Sequence, residues 1–457
     1  MNVHREKRTP HPPGHASTRL SPRRRTRASA VPICSLILLF AFTANAAEYS
    51  TENNASCDVG PYPAATLLLP YFEVDINAPT TTAVNTIYTV VNTSKYPQII
   101  RSTIWTDLGY PVAWFDSFLT GYDLLSVSLY EVIARGRFPM TNATVTPGVA
   151  SAANNANPNM QVDKSCVQYA GAIITEPVLG RFQRQLTTGV RDDPNCPVGM
   201  KHDHAIGYVT VDVINSCSLV SPLDAEYWTE ALLFDNVLTG EYVRLNPDPQ
   251  TGNYAGANPL VHIRAIPEGG VAGTTPAVAF PYTFYDRYTP AGARKMDRRQ
   301  PLPSTWAARW IEGGKGDFQT SLTVWREGII GSSKSACDYT QNKTLPVAKT
   351  NIVRFDEHEN ATANAADMST PASAAIPTTS SFFPAMSAAG DHGGWMWMSL
   401  DNGAGTGTGR TGTTSYSSHR PSQSWMIVQM SAEGRYAVDF DATWLANGCT
   451  LTPPMAP

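Results

Sequence analysis

Between Ala64 and Ile133 the chain passes repeatedly from strand-like runs to turn chemistry. Ala64–Val74 is mostly apolar and ends at the turn-rich DINAPTTT. Val84, Thr86, Tyr88 and Val90 alternate with Asn85, Ile87 and Thr89 until Asn92-Thr93-Ser94 breaks the run. Ile99–Trp105 alternates again, and Gly109-Tyr110-Pro111 turns the chain towards Trp114–Leu119. Gly121-Tyr122-Asp123 then precedes Leu125–Ile133. Side chains of a strand alternate between faces, so each such run has a face to bury and needs a second layer to cover it. Short strands at this spacing predict a β-sandwich. Charged residues make up only 16% of the chain, against about a quarter in ordinary domains. Long helices laced by ion pairs are therefore not expected.

The pattern continues beyond that block. Residues 137–165 lack periodicity and predict a long loop. Val178–Leu186 predicts a short helix. Val209, Val211 and Val213 alternate with polar neighbours and predict a half-buried strand. Ser221-Pro222-Leu223-Asp224 carries a helix-start signature, with Leu223, Tyr227, Ala231 and Phe234 on one apolar face. Glu241–Leu245 and Leu260–Ile266 follow as strands. Gly269–Pro303, rich in Gly, Pro and charge, reads as a boundary. Strands are then expected at Phe318–Arg326, Thr350–Phe355, Trp395–Leu400, Trp425–Met430 and Tyr436–Thr443. The low-complexity stretches Asn360–Ser381 and Asn402–Ser418 read as mobile loops. The expected fold class is thus mainly all-β: two Ig-like β-sandwich domains with long loops and one or two short helices. Residues 1–46 form a signal segment with a basic leader, 47–268 and 304–457 the domains, and 269–303 their linker.

Val31–Phe42 is an apolar run followed by Ala44-Asn45-Ala46. An apolar core and a small-residue cleavage site are the marks of a secretory signal peptide. The run is too short for a membrane span, which takes roughly twenty residues, so no transmembrane segment is expected in the mature chain. Export makes Cys57, Cys166, Cys196, Cys217, Cys337 and Cys449 disulfide candidates. No CxxC pair occurs among them, which excludes zinc-ribbon and thioredoxin readings. Cys337 with Cys449, beyond the expected boundary, is the expected pair.

The whole chain carries 34 Lys and Arg against 38 Asp and Glu. Residues 1–46 hold eight of the former and one of the latter, which leaves the mature chain at a net −11. Nucleic-acid partners need a basic face and are excluded. Anionic membrane surfaces are excluded for the same reason.

The segment NTIYTVVNTSKYPQIIRSTIWTDLGYPVAWFDSFLTGYD, and the closing SQSWMIVQMSAEGRYAVDFDATWLANGC, resemble blocks of exported bacterial proteins without an assigned function. The resemblance implies an Ig-like sandwich and export. It carries over no catalytic residue.

Several constellations could carry chemistry. His202 and His204, two apart, can face the same side of a strand and grip zinc. A third ligand would come from His262, His358 or His392. The competing reading is a polar loop ahead of the strand at Gly207. Asp356-Glu357-His358-Glu359 could supply a cation site or an acid–base pair, or be a solvated loop. Asp439 and Asp441 share a strand face, as a carboxylate pair or as a solvent face whose Val438 and Phe440 turn to the core. Trp395 and Trp397 also share a face, either as a platform for a sugar ring or as filling of a central strand. No nucleophile elbow, P-loop or HExxH is present, and no cofactor is expected. Three functions fit. The first is a non-enzymatic envelope or extracellular protein, structural or adhesive, whose partner is a cell-surface glycan or another envelope protein. The others are a carbohydrate-binding protein or glycoside hydrolase, and a metal-dependent exported enzyme.

Overall fold

A computed structural model describes residues 59–139, 174–191, 196–217, 220–247, 258–266, 268–269, 283–285, 297–327, 345–385, 392–400, 423–433 and 436–446. Strand β1 (Thr66–Val74) has the apolar run TLLLPYFEV and is buried on both faces except at Glu73. It pairs antiparallel with β6 (Ala205–Ile214) and β9 (Val261–Ile263). Pro70 offers no amide to the ladder, and the register shifts between Leu69 and Phe72 around it. A bulge is the place where a central strand accepts proline. Strands β3 (Gln98–Thr106) and β4 (Pro111–Leu119) complete a sheet of order β4-β3-β6-β1-β9.

A second sheet, β5-β2-β7-β8, is built from β2 (Asn85–Asn92), β5 (Leu124–Ser128), β7 (Leu238–Leu245) and β8 (Asn258–Pro259). Every second residue of β2 is buried, the mark of a sheet covered on one face. Strands β2 and β7 pack on β1.

The other face of β1 meets β11 (Gln319–Arg326) and β16 (Ser373–Pro377). These belong to a sheet of order β16-β11-β18-β19, with β18 (Ser424–Ala432) and β19 (Tyr436–Asp441). Strand β10 (Thr305–Ile311) packs on β11 and β18 from the far side. It lies in the sheet β14-β13-β17-β10-β20, formed with β13 (Ile352–Asp356), β14 (Ala361–Ala363), β17 (Gly393–Ser399) and β20 (Thr443–Ala446). Strands β12 (Leu345–Val347) and β15 (Met368–Thr370) form a separate pair. The protein is therefore mainly β, with antiparallel sheets stacked face on face, as the alternation predicts.

One hydrophobic cluster runs from Val59 to Ala442. Within the stretch expected to link two domains, residues 283–285 and 297–303 are buried, and Phe284, Tyr285 and Arg299 are nearly without exposure. Arg299 pairs with Asp297 at 3.1 Å. Tyr285 and Tyr227 donate their hydroxyls to Asp212 at 2.8 and 2.6 Å.

Several local expectations change. Leu125–Ile133 does not run as one strand, because Ser128 caps a short helix, α1 (Leu129–Ile133), by accepting from the Glu131 amide. The helix expected at Val178–Leu186 is present as α2 (Val178–Thr187). The one expected from Ser221 is reduced to a π-helical turn, Tyr227–Ala231, within which Tyr227 is anchored to Asp212. Asn360–Ser381 is not simply a loop: β14, β15 and β16 fall within it. Ala, Ser and Thr there supply little core, but their backbones pair with β13, β12 and β11. The loop expected at 402–418 and most of 137–165 lie outside the described residues.

Candidate functional site

The site grows from one cross-strand row. Strand β17 lies between β13 and β10, which places Trp395 opposite Phe355 on one side and Arg309 on the other. The Trp395 and Phe355 rings stack with centroids 4.1 Å apart and planes 7° from parallel. Gly394 makes that contact possible, because a Cβ there would sit 2.0 Å from the Phe355 carbonyl oxygen. Its φ of +156° is also one that side chains rarely adopt. The face of the indole turned towards β13 is thus taken by Phe355. Trp395 also lines a cleft of about 610 Å³, together with Arg309, its neighbour on β10.

Small residues, Ala307 and Ala308 of β10, line the cleft. Its far wall is where the chain leaves one sheet for the next. Strand β19 pairs with β18, β20 pairs with β10, and only Ala442 separates them. The Ala442 amide donates to the Met426 carbonyl at 3.0 Å and fixes this step. Phe440 and Asp441 line the cleft from there.

The acidic rim comes from Asp356-Glu357-His358-Glu359, which is the hairpin turn between β13 and β14. Asp356 holds the turn together. Its carboxylate accepts the His358 amide at 2.8 Å, the Asn360 amide at 2.9 Å and the Asn360 side chain at 2.7 Å. These bonds, the Asn360 side chain first, hold its pKa below the usual carboxylate range. Glu357 and Glu359 line the cleft and are exposed. Glu359 accepts the Trp395 indole N–H at 3.3 Å.

Asp441 stands solvent-exposed at the cleft. The protein mass around its carboxyl pushes it up to about 6, opposed by the Trp425 indole N–H that it accepts at 3.1 Å. Arg309, also exposed, is the cation of the lining. The cleft therefore combines an aromatic wall with an excess of carboxylates.

The structure separates the residues singled out in the sequence. Trp395 reaches the cleft, whereas Trp397, 5% exposed, packs with Val353 and Phe355. Asp441 reaches it, whereas the Asp439 side chain is wholly buried against Arg244, 3.2 Å away. The expectation that Val438 and Phe440 turn inward is overturned. They are 53% and 37% exposed, because the Arg244 pairing draws the other face of β19 in.

His202 and His204 precede β6 and bind different carboxylates. The His202 Nε2 lies 3.0 Å from Asp107, and the His204 Nδ1 lies 2.6 Å from Glu73. His262 is buried on β9, where burial lowers its pKa. His392 bonds the Glu312 carbonyl at 3.0 Å, and His358 sits in the hairpin turn. Among the described residues no group of three metal-binding side chains forms. Cys196 and Cys217 each take part in a disulfide. Cys57, Cys166, Cys337 and Cys449 lie outside the described residues.

Phe355, Arg309 and Phe440 were not singled out as site residues by sequence reasoning. Strand pairing alone reveals the first two, since both are neighbours of Trp395 only across the sheet. Among the described residues no helix is long and apolar enough to cross a membrane. No protein-family model, curated protein or solved structure matches the chain.

Proposed function

We propose that this is an exported, non-enzymatic protein of the envelope or exterior that binds a glycan in the cleft beside Trp395. The observation that carries the reading is the indole itself. Phe355 fixes it from one side, Glu359 holds its N–H, and it lines the cleft. A fixed aromatic wall offers a sugar ring a stacking surface at little entropic cost. Carboxylates at the rim accept hydroxyl hydrogen bonds, which fix the orientation of a bound ligand. The Val31–Ala46 segment supports export.

Two measurements test this. Titration of neutral, acetylated, amino and acidic oligosaccharides should find a binder whose affinity Trp395→Ala removes. Binding of none of the four classes overturns the glycan reading. Amino-terminal sequencing of protein recovered outside the cytoplasm should begin at Ala47-Glu48-Tyr49. A species retaining residues 31–46 overturns the export reading.

A further inference from the structure

We infer that the sugar selected by this cleft carries a free amino group, an assignment that rests on the glycan reading above. The argument is the juxtaposition of one aromatic wall with unequal charge. Glu357, Glu359 and Asp441 line the same cleft as Trp395, and among the described residues Arg309 is the single cation of its lining. Asp356 also lines it, but its carboxylate is occupied by the hairpin turn. An ammonium group near the indole gains twice. The electron-rich face of Trp attracts a cation more strongly than that of Tyr or Phe, and the carboxylates form charge-assisted hydrogen bonds.

The Glu359–Trp395 contact joins these two attractions. Because Glu359 accepts the indole N–H at 3.3 Å, its charge is held at the edge of the ring, within reach of a substituent stacked beside it. Arg309 pairs across the sheet with Trp395, and its exposed side chain can extend into solvent away from a bound cation. An anionic sugar meets the reverse situation, with several carboxylates facing it. A neutral or acetylated sugar keeps the stacking and loses the charge-assisted bonds.

The carboxyl of Asp441 gives the selectivity a pH dependence. The groups around it are the Trp425 N–H, which it accepts, the buried Tyr242 hydroxyl of β7, whose pKa its charge raises, and the other charged residues lining the cleft, Asp356, Glu357, Glu359 and Arg309. As pH rises through about 6, Asp441 gains its charge. Affinity for an ammonium should rise over that interval.

The test compares β-1,4-linked tetramers of glucosamine, N-acetylglucosamine and glucose by titration calorimetry at neutral pH and low salt, using the purified full-length exported protein. These share a backbone and differ in the C2 substituent. The glucosamine tetramer should bind about tenfold more tightly than the other two, as expected for one charge-assisted bond replacing neutral ones. High salt should narrow the gap, and so should the double variant Glu357→Gln, Glu359→Gln. Equal affinity for the three tetramers would refute the amino-sugar assignment and leave the glycan reading standing. Binding of none, together with no binder among the acidic oligosaccharides, removes both. The mature chain is acidic overall, so non-specific attraction of a cationic oligomer is the alternative source of a preference. A glucosamine advantage that survives unchanged in the double variant identifies that source and overturns the proposal.

Discussion

Arg244 on β7 donates to the Asp439 carboxylate on β19 at 3.2 Å, joining residues 195 positions apart. Asn258 on β8 donates to the same oxygen at 3.0 Å. The Asp439 side chain is wholly buried and that of Arg244 is 12% exposed. Burial raises the Asp439 pKa, and Arg244 opposes the rise. This ion pair decides which face of β19 is inside. With Asp439 turned in, Tyr436, Val438 and Phe440 are turned out, and Phe440 becomes a wall of the cleft.

Removing one partner of a buried pair leaves the other charge uncompensated, at a cost of about 3–5 kcal/mol. Asp439→Ala should therefore lower stability by that order in chemical denaturation. Val438→Ser on the exposed face should change it by about 0.5 kcal/mol or less. If the order of the two effects were reversed, β19 would have its other face inside.

How much of this was legible follows from the range of each interaction. The strand runs of β1 to β4 and the turns between them are local, so they appear in the sequence as written, although only β2 is buried at alternate residues and β1, β3 and β4 are covered on both faces. Alternation in Tyr436–Asp441 is equally plain, yet it defines two faces without saying which is buried. The deciding partner, Arg244, lies far away in the chain. Trp395, Glu357, Glu359 and Asp441 are recognisable as residue types suited to a site. Their meeting depends on the register of β13, β17 and β10 and on the step at Ala442, which no local pattern encodes. For the same reason the sequence does not distinguish Trp397 from Trp395, whose cross-strand neighbours differ: Val353 and Ala307 for the first, Phe355 and Arg309 for the second.

The histidines are expected to be structural. Asp107 is nearly without exposure and has His202 and the Met200 amide as partners. Losing the imidazole leaves a buried carboxylate less satisfied, which costs about 1–3 kcal/mol. Glu73 keeps the Tyr71 hydroxyl, 3.1 Å away, when His204 is removed. The His202→Ala, His204→Ala variant should therefore fold, with a moderate loss of stability. Dialysis against a chelator should leave the thermal midpoint of the parent unchanged. A large chelator-sensitive drop, absent in the variant, would establish a metal site there.

Gly394 ties the fold to the cleft. An alanine methyl would meet the Phe355 carbonyl oxygen at 2.0 Å, and backbone cannot swing aside as a flexible side chain can. Gly394→Ala should push β17 away from β13 and open the Trp395–Phe355 stack. Overpacking of this kind costs about 1–3 kcal/mol. Near-ultraviolet circular dichroism should show the loss of the aromatic contact. A variant with the parent's aromatic spectrum and thermal midpoint would mean that the strands absorb the methyl without separating.

Asp441 should make stability and ligand affinity respond to pH in opposite directions. Its carboxyl is raised from the usual value near 3.8 to about 6, chiefly by desolvation from the protein packed around it, although the residue as a whole keeps much of its surface in solvent. A raised carboxyl favours the protonated form in the folded protein. The stability it contributes is therefore fully present below about 3.8 and is lost as pH rises through about 6. Asp441→Asn keeps an acceptor for the Trp425 N–H and cannot ionise. Its stability relative to the parent should rise between pH 4 and pH 7. Because the residue is solvent-exposed, screening limits the gain to about 1 kcal/mol or less. Over the same interval the parent's affinity for the glucosamine tetramer should rise relative to the variant's, a ratio from which the titration of the ligand's own amines cancels. Denaturation curves at pH 4 and pH 7, paired with titrations at pH 5 and pH 7, check both. A parent-to-variant affinity ratio that stays constant from pH 5 to pH 7 would place the titrating group elsewhere in the cleft. A variant with no relative stabilisation would show that the Asp441 carboxyl ionises in the folded chain as it does in the unfolded one.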